Sequence, residues 1–158
     1  MTKIVRRKYR VSRRIGASLW GHGKDPVNNS RNFLPGVHGP LGKRGKGSDY
    51  KIQLEEKQKW KMYYGAIPER QFKKIYKKAF NSKGDTMENM VSLLERRLDA
   101  FIYRAKLAPT IFAARQMVNH GLVIVNNSKV TIRSYTLKPG DEVTLKDKAL
   151  QMALVMGA

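Results

Sequence analysis

Cysteine is absent from all 158 residues, and acidic side chains are scarce: 12 Asp plus Glu stand against 32 Lys plus Arg. Without thiols there is no disulfide and no thiolate-held metal, and the composition fits a reducing compartment. The shortage of acid leaves a formal charge of +20. Such a chain repels itself and attracts polyanions, which favours nucleic acid over an acidic protein or a membrane surface. No apolar run approaches a membrane span, so no membrane partner is expected. Histidine is sparse as well: His22, His38 and His120 stand alone, with no carboxylate cluster at metal-ligand spacing. Asp85, Asp99 and Asp141 are isolated acids with ordinary cap, ion-pair and turn explanations, so no general acid–base pair is evident. What remains is 41% hydrophobic, enough to bury the cores of one or two small domains.

The charge is uneven. Residues 1–78 hold 21 basic against 5 acidic side chains, a net of +16, whereas residues 79–158 hold 11 against 7, a net of +4. The N-terminal MTKIVRRKYRVSRR is basic enough to suggest a mitochondrial transit peptide. Because it runs without a break into patterned sequence, it reads as part of the folded chain. Residues 21–48 are loop-like, dominated by Gly, Pro, Asn and Ser. Glycines interleaved with Lys43, Arg44 and Lys46 would let cations and backbone amides approach phosphates closely, although a disordered basic linker has the same composition. A Walker phosphate loop is excluded by spacing, since Lys46 precedes Gly47 and position 40 is proline.

From Ser48 the pattern turns helical, with Ser48 or Asp49 as a cap and Gly65 as the stop. A second helix begins near Pro68-Glu69. It carries Phe72, Ile75, Tyr76 and Ala79 at helical spacing, with Lys73, Lys74, Lys77 and Lys78 around them. The aromatics are read as core, and the lysines as phosphate candidates.

Placed on one helix at about 100° per residue, Met87, Met90, Val91, Leu94, Leu98, Phe101, Ile102 and Ala105 gather on one side, with Arg96, Arg97, Tyr103 and Arg104 opposite. Glu88, Glu95 and Asp99 neutralise only part of that basic stripe, which is either a solvated face or a binding face. A further helix follows Pro109 with Thr110 as cap; Ala113, Ala114, Met117 and Val118 form its apolar stripe, and Arg115, Gln116 and Asn119 face elsewhere. Gly121 is the stop. Val123, Val125 and Val130 flank the hairpin turn Asn126-Asn127, and Lys138-Pro139-Gly140-Asp141 turns into a third strand at Val143 and Leu145. The expected class is α+β: a mostly helical N-terminal domain with a long basic loop over 1–94, then two helices with short antiparallel strands over 95–158.

Over roughly fifty residues, this second region resembles the S-four RNA-binding domain. The matching residues are Arg96-Arg97-Leu98-Asp99, Tyr103-Arg104, Ala114-Arg115-Gln116, His120-Gly121, Val125-Asn126 and Val130. The first region, from Tyr9-Arg10, Arg13-Arg14 and Trp20-Gly21 through Pro35-Gly36, His38-Gly39, Ser48-Asp49-Tyr50, Gln53-Leu54, Glu56-Lys57-Gln58-Lys59 and Tyr64-Gly65 to Gln71-Phe72, resembles the N-terminal domain of bacterial-type ribosomal protein S-four. The run from Trp20-Gly21 through Pro26-Val27-Asn28 is similar to alphaproteobacterial or mitochondrial members. The resemblance covers nearly the entire chain.

That resemblance implies a structural constituent of the small ribosomal subunit that binds the 5′ region of its ribosomal RNA and supports assembly and translational accuracy. It implies ribosomal protein S-five, other small-subunit proteins and messenger RNA near its channel into the subunit as partners, in the bacterial cytoplasm or, alternatively, in a mitochondrial ribosome. Some members also repress their own messenger. No cofactor is expected; some relatives hold zinc through cysteines that this chain lacks. Relatives also continue past the position of Ala158 into a C-terminal extension that is absent from this sequence, either because this member lacks it or because the sequence stops short of it.

RNA contacts are expected from Tyr9, Arg10, Arg13, Arg14, His38, Lys43, Arg44, Lys46, Lys57 and Lys59 in the first region. In the second, Arg96, Arg97, Arg104 and Arg115 are expected to fork onto phosphates, with Lys129 beside them. Tyr103, Gln116, His120 and Asn126 would reach sugars, and Gly121 would allow close approach. A-form RNA hides its major groove, so the expected mode is a multivalent clamp on backbone and shape. An RNA-modifying enzyme such as a pseudouridine synthase would need a large catalytic domain that the basic first half does not resemble. A free-standing ribosome-associated factor would need only the small module.

Overall fold

The computed structural model describes residues 9–21, 23, 25–29, 31–42, 45 and 47–152. Chain contacts divide it into two compact units, Met1–Ala66 and Ile67–Ala158.

In the first unit, α1 (Arg10–Ile15) ends at Gly16, whose φ of 81° is the left-handed conformation of a glycine stop. A single 3-10 turn at Pro26–Asn28 is capped by the buried Asp25, which accepts hydrogen bonds from Val27 N–H at 3.1 Å and Ser18 Oγ at 3.0 Å. The remaining described residues of 21–48 form no helix or strand, as their composition requires. Gly39 is indispensable there, because a Cβ would lie 1.8 Å from the Leu34 carbonyl oxygen. The long α2 (Asp49–Tyr63) starts as expected: Ser48 accepts a hydrogen bond from Lys51 N–H. Trp20 donates through its ring nitrogen to the Tyr63 carbonyl at 3.3 Å, fastening the first loop to the end of α2.

The second unit opens with α3 (Glu69–Phe80) and α4 (Thr86–Glu95), an α-hairpin whose second helix is capped by Asp85 on Glu88 N–H. Phe72 and Ala79 are buried and Ile75 is half-buried. Tyr76 is 48% exposed, which corrects its reading as core, and it stacks at 6.2 Å on Phe80, itself 64% exposed. Tyr50, in α2, is exposed as well.

The continuous helix expected over 87–105 is broken. Arg96 closes α4, Arg97 is extended at φ −69° and ψ 138°, and α5 (Leu98–Arg104) begins anew. The break splits the apolar stripe: Met90, Leu94, Leu98 and Ile102 are buried, while Met87, Val91, Phe101 and Ala105 are exposed. Its cause is a strand-like segment, residues 133–137, that docks on the break. Leu98 N–H donates to Tyr135 O at 2.8 Å, Leu137 N–H to Arg96 O at 2.8 Å and Asp99 N–H to Arg133 O at 3.3 Å. The opened turn thus keeps its backbone groups paired.

Thr110 caps α6 (Ile111–Asn119) on Ala113 N–H at 3.1 Å. Gly121 follows at φ 66°, and its missing Cβ leaves room for the Lys129 stem, whose Cε would lie 2.1 Å away. The sheet order is β2-β1-β3, from Ser128–Lys129, Val123–Val125 and Val143–Leu145, all antiparallel, and α7 (Asp147–Leu150) follows. Asn126 and Asn127, at φ 48° and 61°, make the turn that their type foretells. Leu98, Ile102, Ala114, Met117, Val118, Val123 and Val125 form one core between α5, α6 and β1. Leu98→Ala in that core is expected to cost about 2–5 kcal/mol. Urea titration should show a lower midpoint; an unchanged midpoint would mean that this core does not hold the unit together.

Candidate nucleic-acid interface

The basic residues fall into three physical groups. The first is buried. Arg97 is 3% exposed and grips the fully buried Asp99 through two parallel bonds, Nε to Oδ1 at 3.0 Å and Nη2 to Oδ2 at 2.8 Å. Arg115 is also buried, with Nε 3.7 Å from Asp99 Oδ2. Burial, with Arg133 and then Arg97 nearby, pulls its pKa down to about 10, against the raising influence of Asp99. It remains charged at neutral pH. Neither residue belongs to an exposed arginine face, which corrects that expectation. Removing water from a guanidinium is tolerable only beside a fixed anion, and Asp99 is that anion.

The second group is committed to internal contacts at the surface. Arg96 Nε donates to Leu137 O at 2.9 Å. Arg104, exposed, makes a forked pair with Glu95 at 3.1 and 2.9 Å and lies 5.9 Å from the Tyr103 ring centre. Arg13 donates to the Phe33 and Leu34 carbonyls and sits over the Phe33 ring at 4.7 Å, holding the loop to α1. Lys59 pairs with Glu56 at 2.5 Å, and half-buried Lys57 also has a partner. Tyr9 meets Trp20 edge to face at 6.4 Å. Asn126 is occupied on both sides, donating to Asp141 Oδ1 and accepting from Glu142 N–H, each at 2.9 Å. Asp141 in turn accepts from Lys138 N–H at 2.7 Å; that backbone bond, then the Asn126 bond, lowers its pKa below the ordinary carboxylate value. Gly121 is buried beneath Lys129.

The third group is open to solvent. Arg10 and Arg14 line a cleft of about 290 Å³ in the first unit, beside Lys51 and the apolar Leu34 and Pro35. His38 is exposed, as are Gln116, His120 and Lys129 in the second unit. Lys73, Lys74, Lys77 and Lys78 are exposed along α3. Lys43, Arg44 and Lys46 lie outside the described residues. Sequence reasoning missed Arg133, Ser134 and Thr136, because only the docking of 133–137 on the helix break brings Ser134 and Thr136 beside Arg97 and Arg133 near Arg115.

Comparison with known proteins sets these groups in a family. Residues 3–95 match the ribosomal protein S4/S9 N-terminal domain, and residues 96–143 match the S4 domain. The chain is 53% identical over all its 158 residues to small ribosomal subunit protein uS4 of Granulibacter bethesdensis, covering 76% of that protein. It is 55% identical over its whole length to the Sphingopyxis alaskensis protein of that name, covering 77%. It is 52% identical over 98% of its length to the Pelagibacter ubique one, covering 75%. The chain belongs to the uS4 family. Its relatives are mostly alphaproteobacterial, in keeping with the flavour of its N-terminal motifs.

Within a uS4 member, the buried arginines hold the S4 module in shape, and the exposed cations are those able to meet a polyanion. Asp99→Ala, which strands two buried guanidinium groups, is therefore expected to destabilise the second unit by about 3–5 kcal/mol. Thermal unfolding followed by circular dichroism checks it; a wild-type melting temperature would show that Asp99 is dispensable.

Proposed function

We propose that this protein is a structural, RNA-binding constituent of a bacterial-type small ribosomal subunit. The observation that carries the reading is similarity to uS4 along the whole chain, through both the N-terminal and the S4 modules. The family is a structural, non-enzymatic component of the ribosome. A free-standing factor or modifying enzyme that shares only the S4 module would not account for the match over residues 3–95.

The target we propose is the 5′ region of the small-subunit ribosomal RNA, bound early enough to support assembly and later translational accuracy. Ribosomal protein S-five, other small-subunit proteins and messenger RNA near its channel into the subunit are the neighbours that this placement supplies. The setting is the bacterial cytoplasm or, alternatively, a mitochondrial ribosome. Residues 1–94 and 95–158 act as the two RNA-contacting regions, each bringing its own cations.

The mechanism is a clamp on backbone and shape. Arg10, Arg14, Gln116, His120 and Lys129 offer exposed donors to phosphates and sugars, while within the second unit Arg97 and Arg115 keep the pair α5 and α6 rigid. Rigidity matters because a preordered set of donors loses little conformational entropy on binding.

Two measurements test this. After a high-salt wash the protein should sediment with the small subunit; recovery chiefly in the soluble fraction would overturn the assignment. Arg10→Ala/Arg14→Ala should weaken binding to 5′-domain ribosomal RNA and lower the log–log salt slope by roughly 0.7–0.9 per lost phosphate contact. An unchanged slope in the folded variant would mean that these arginines are merely solvated.

A further inference from the structure

The four lysines of α3 face two ways. At about 100° per residue, Lys74 and Lys78 lie together on one side, and Lys73 and Lys77 on another, beside the exposed Tyr76–Phe80 pair. The first pair borders a concavity. A cleft of about 290 Å³ opens between α3, α4 and the docked segment, lined by both lysines and by Gln71, Arg97, Ser134 and Thr136, with Ile75 and Leu93 as its apolar part. Among the described residues neither lysine has an acidic partner. The buried Gln71 Oε1 has no hydrogen-bond partner.

We propose that this cleft seats one sugar–phosphate unit of the RNA backbone, an inference that rests on the RNA-binding reading above. Three independent features point to that ligand. Two uncompensated ammonium groups one helical turn apart can converge on a single phosphate. Ser134 and Thr136 carry hydroxyls able to donate to phosphate oxygens or exchange hydrogen bonds with a 2′-hydroxyl, and Gln71 carries an acceptor without a donor. Behind the wall, Arg97 and Arg115 share the buried carboxylate of Asp99, and the charge of Arg133 acts on Arg115 as well. That group is short of negative charge, and an anion in the cleft would supply it. The apolar side chains suit the carbon face of a ribose. They would not suit an acidic peptide, whose carboxylates would leave the hydroxyls and the apolar wall unused.

The test compares the two faces of the same helix in the full-length protein. Affinity for a folded 5′-domain ribosomal RNA fragment is measured over a range of salt for wild type, Lys74→Ala/Lys78→Ala, Lys73→Ala/Lys77→Ala and Ser134→Glu. Circular dichroism establishes that each variant is folded. The cleft pair is expected to lose about tenfold in affinity at low salt and to flatten the slope by roughly 1.4–1.8, corresponding to two lost contacts. Ser134→Glu, which brings a carboxylate to the seat, should lose a similar amount, and the outer pair less than half as much. Equal losses from both pairs would mean diffuse attraction, and a cleft pair or Ser134→Glu variant binding like wild type would leave the cleft empty; either result overturns the proposal alone. A wild-type chain that binds no ribosomal RNA would overturn the functional reading together with it.

Discussion

One buried carboxylate governs the second unit. Asp99 is fully buried, holds Arg97 by two parallel hydrogen bonds and stands 3.7 Å from Arg115. Arg97 meets Asp99 from an extended backbone, where it also bridges to Thr136, so the helix cannot run through position 97. From that constraint follow the break between α4 and α5, the docking of residues 133–137 and the placement of Leu98 and Ile102 against α6. A buried ion pair is weak evidence of net stability, but breaking one is costly, because the remaining charge is left without water or partner. The pair therefore acts chiefly to specify one arrangement of helices.

The legible parts of the fold were the local ones. Ser48, Thr110, Asp85, Gly121 and Asn126-Asn127 do what their residue types do in short range, since a cap or turn is decided within a few residues. The break at Arg97 was illegible for the opposite reason. Arginine is a good helix former, the apolar spacing continues through it, and the competing bonds come from residues almost forty positions later in the chain. A helical wheel therefore placed Arg97 on an outer stripe and Arg115 away from the core, whereas both are buried. Tyr76 erred the other way: aromatic spacing implied burial, yet α3 packs on α4 with Phe72 and Ala79 buried and Tyr76 left outside.

The candidate site was legible as chemistry and much less so as geometry. Charge and motifs pointed to RNA, and the family comparisons agree. Which cations face solvent depended on partners that no motif displays. Arg13 is bound to two loop carbonyls, Arg96 to Leu137 and Arg104 to Glu95. Asn126, expected to reach a sugar, instead ties β1 to the turn that precedes β3.

This division bears on how a charge of +20 should be converted into RNA affinity. Counterion release counts phosphates neutralised by cations that were previously free to bind them, not basic residues in the sequence. Arg97 is already paired, and Arg104 and Lys59 would have to exchange a carboxylate for a phosphate, gaining little net charge neutralisation. Exposed cations without an acidic neighbour, such as Lys74 and Lys78, carry the full electrostatic gain. Formal charge therefore overstates the number of contacts, and the uncommitted lysines weigh more in the salt dependence than the buried arginines that first drew attention to the chain. The arginines contribute earlier in the sequence of causes, by fixing the surface from which those lysines act.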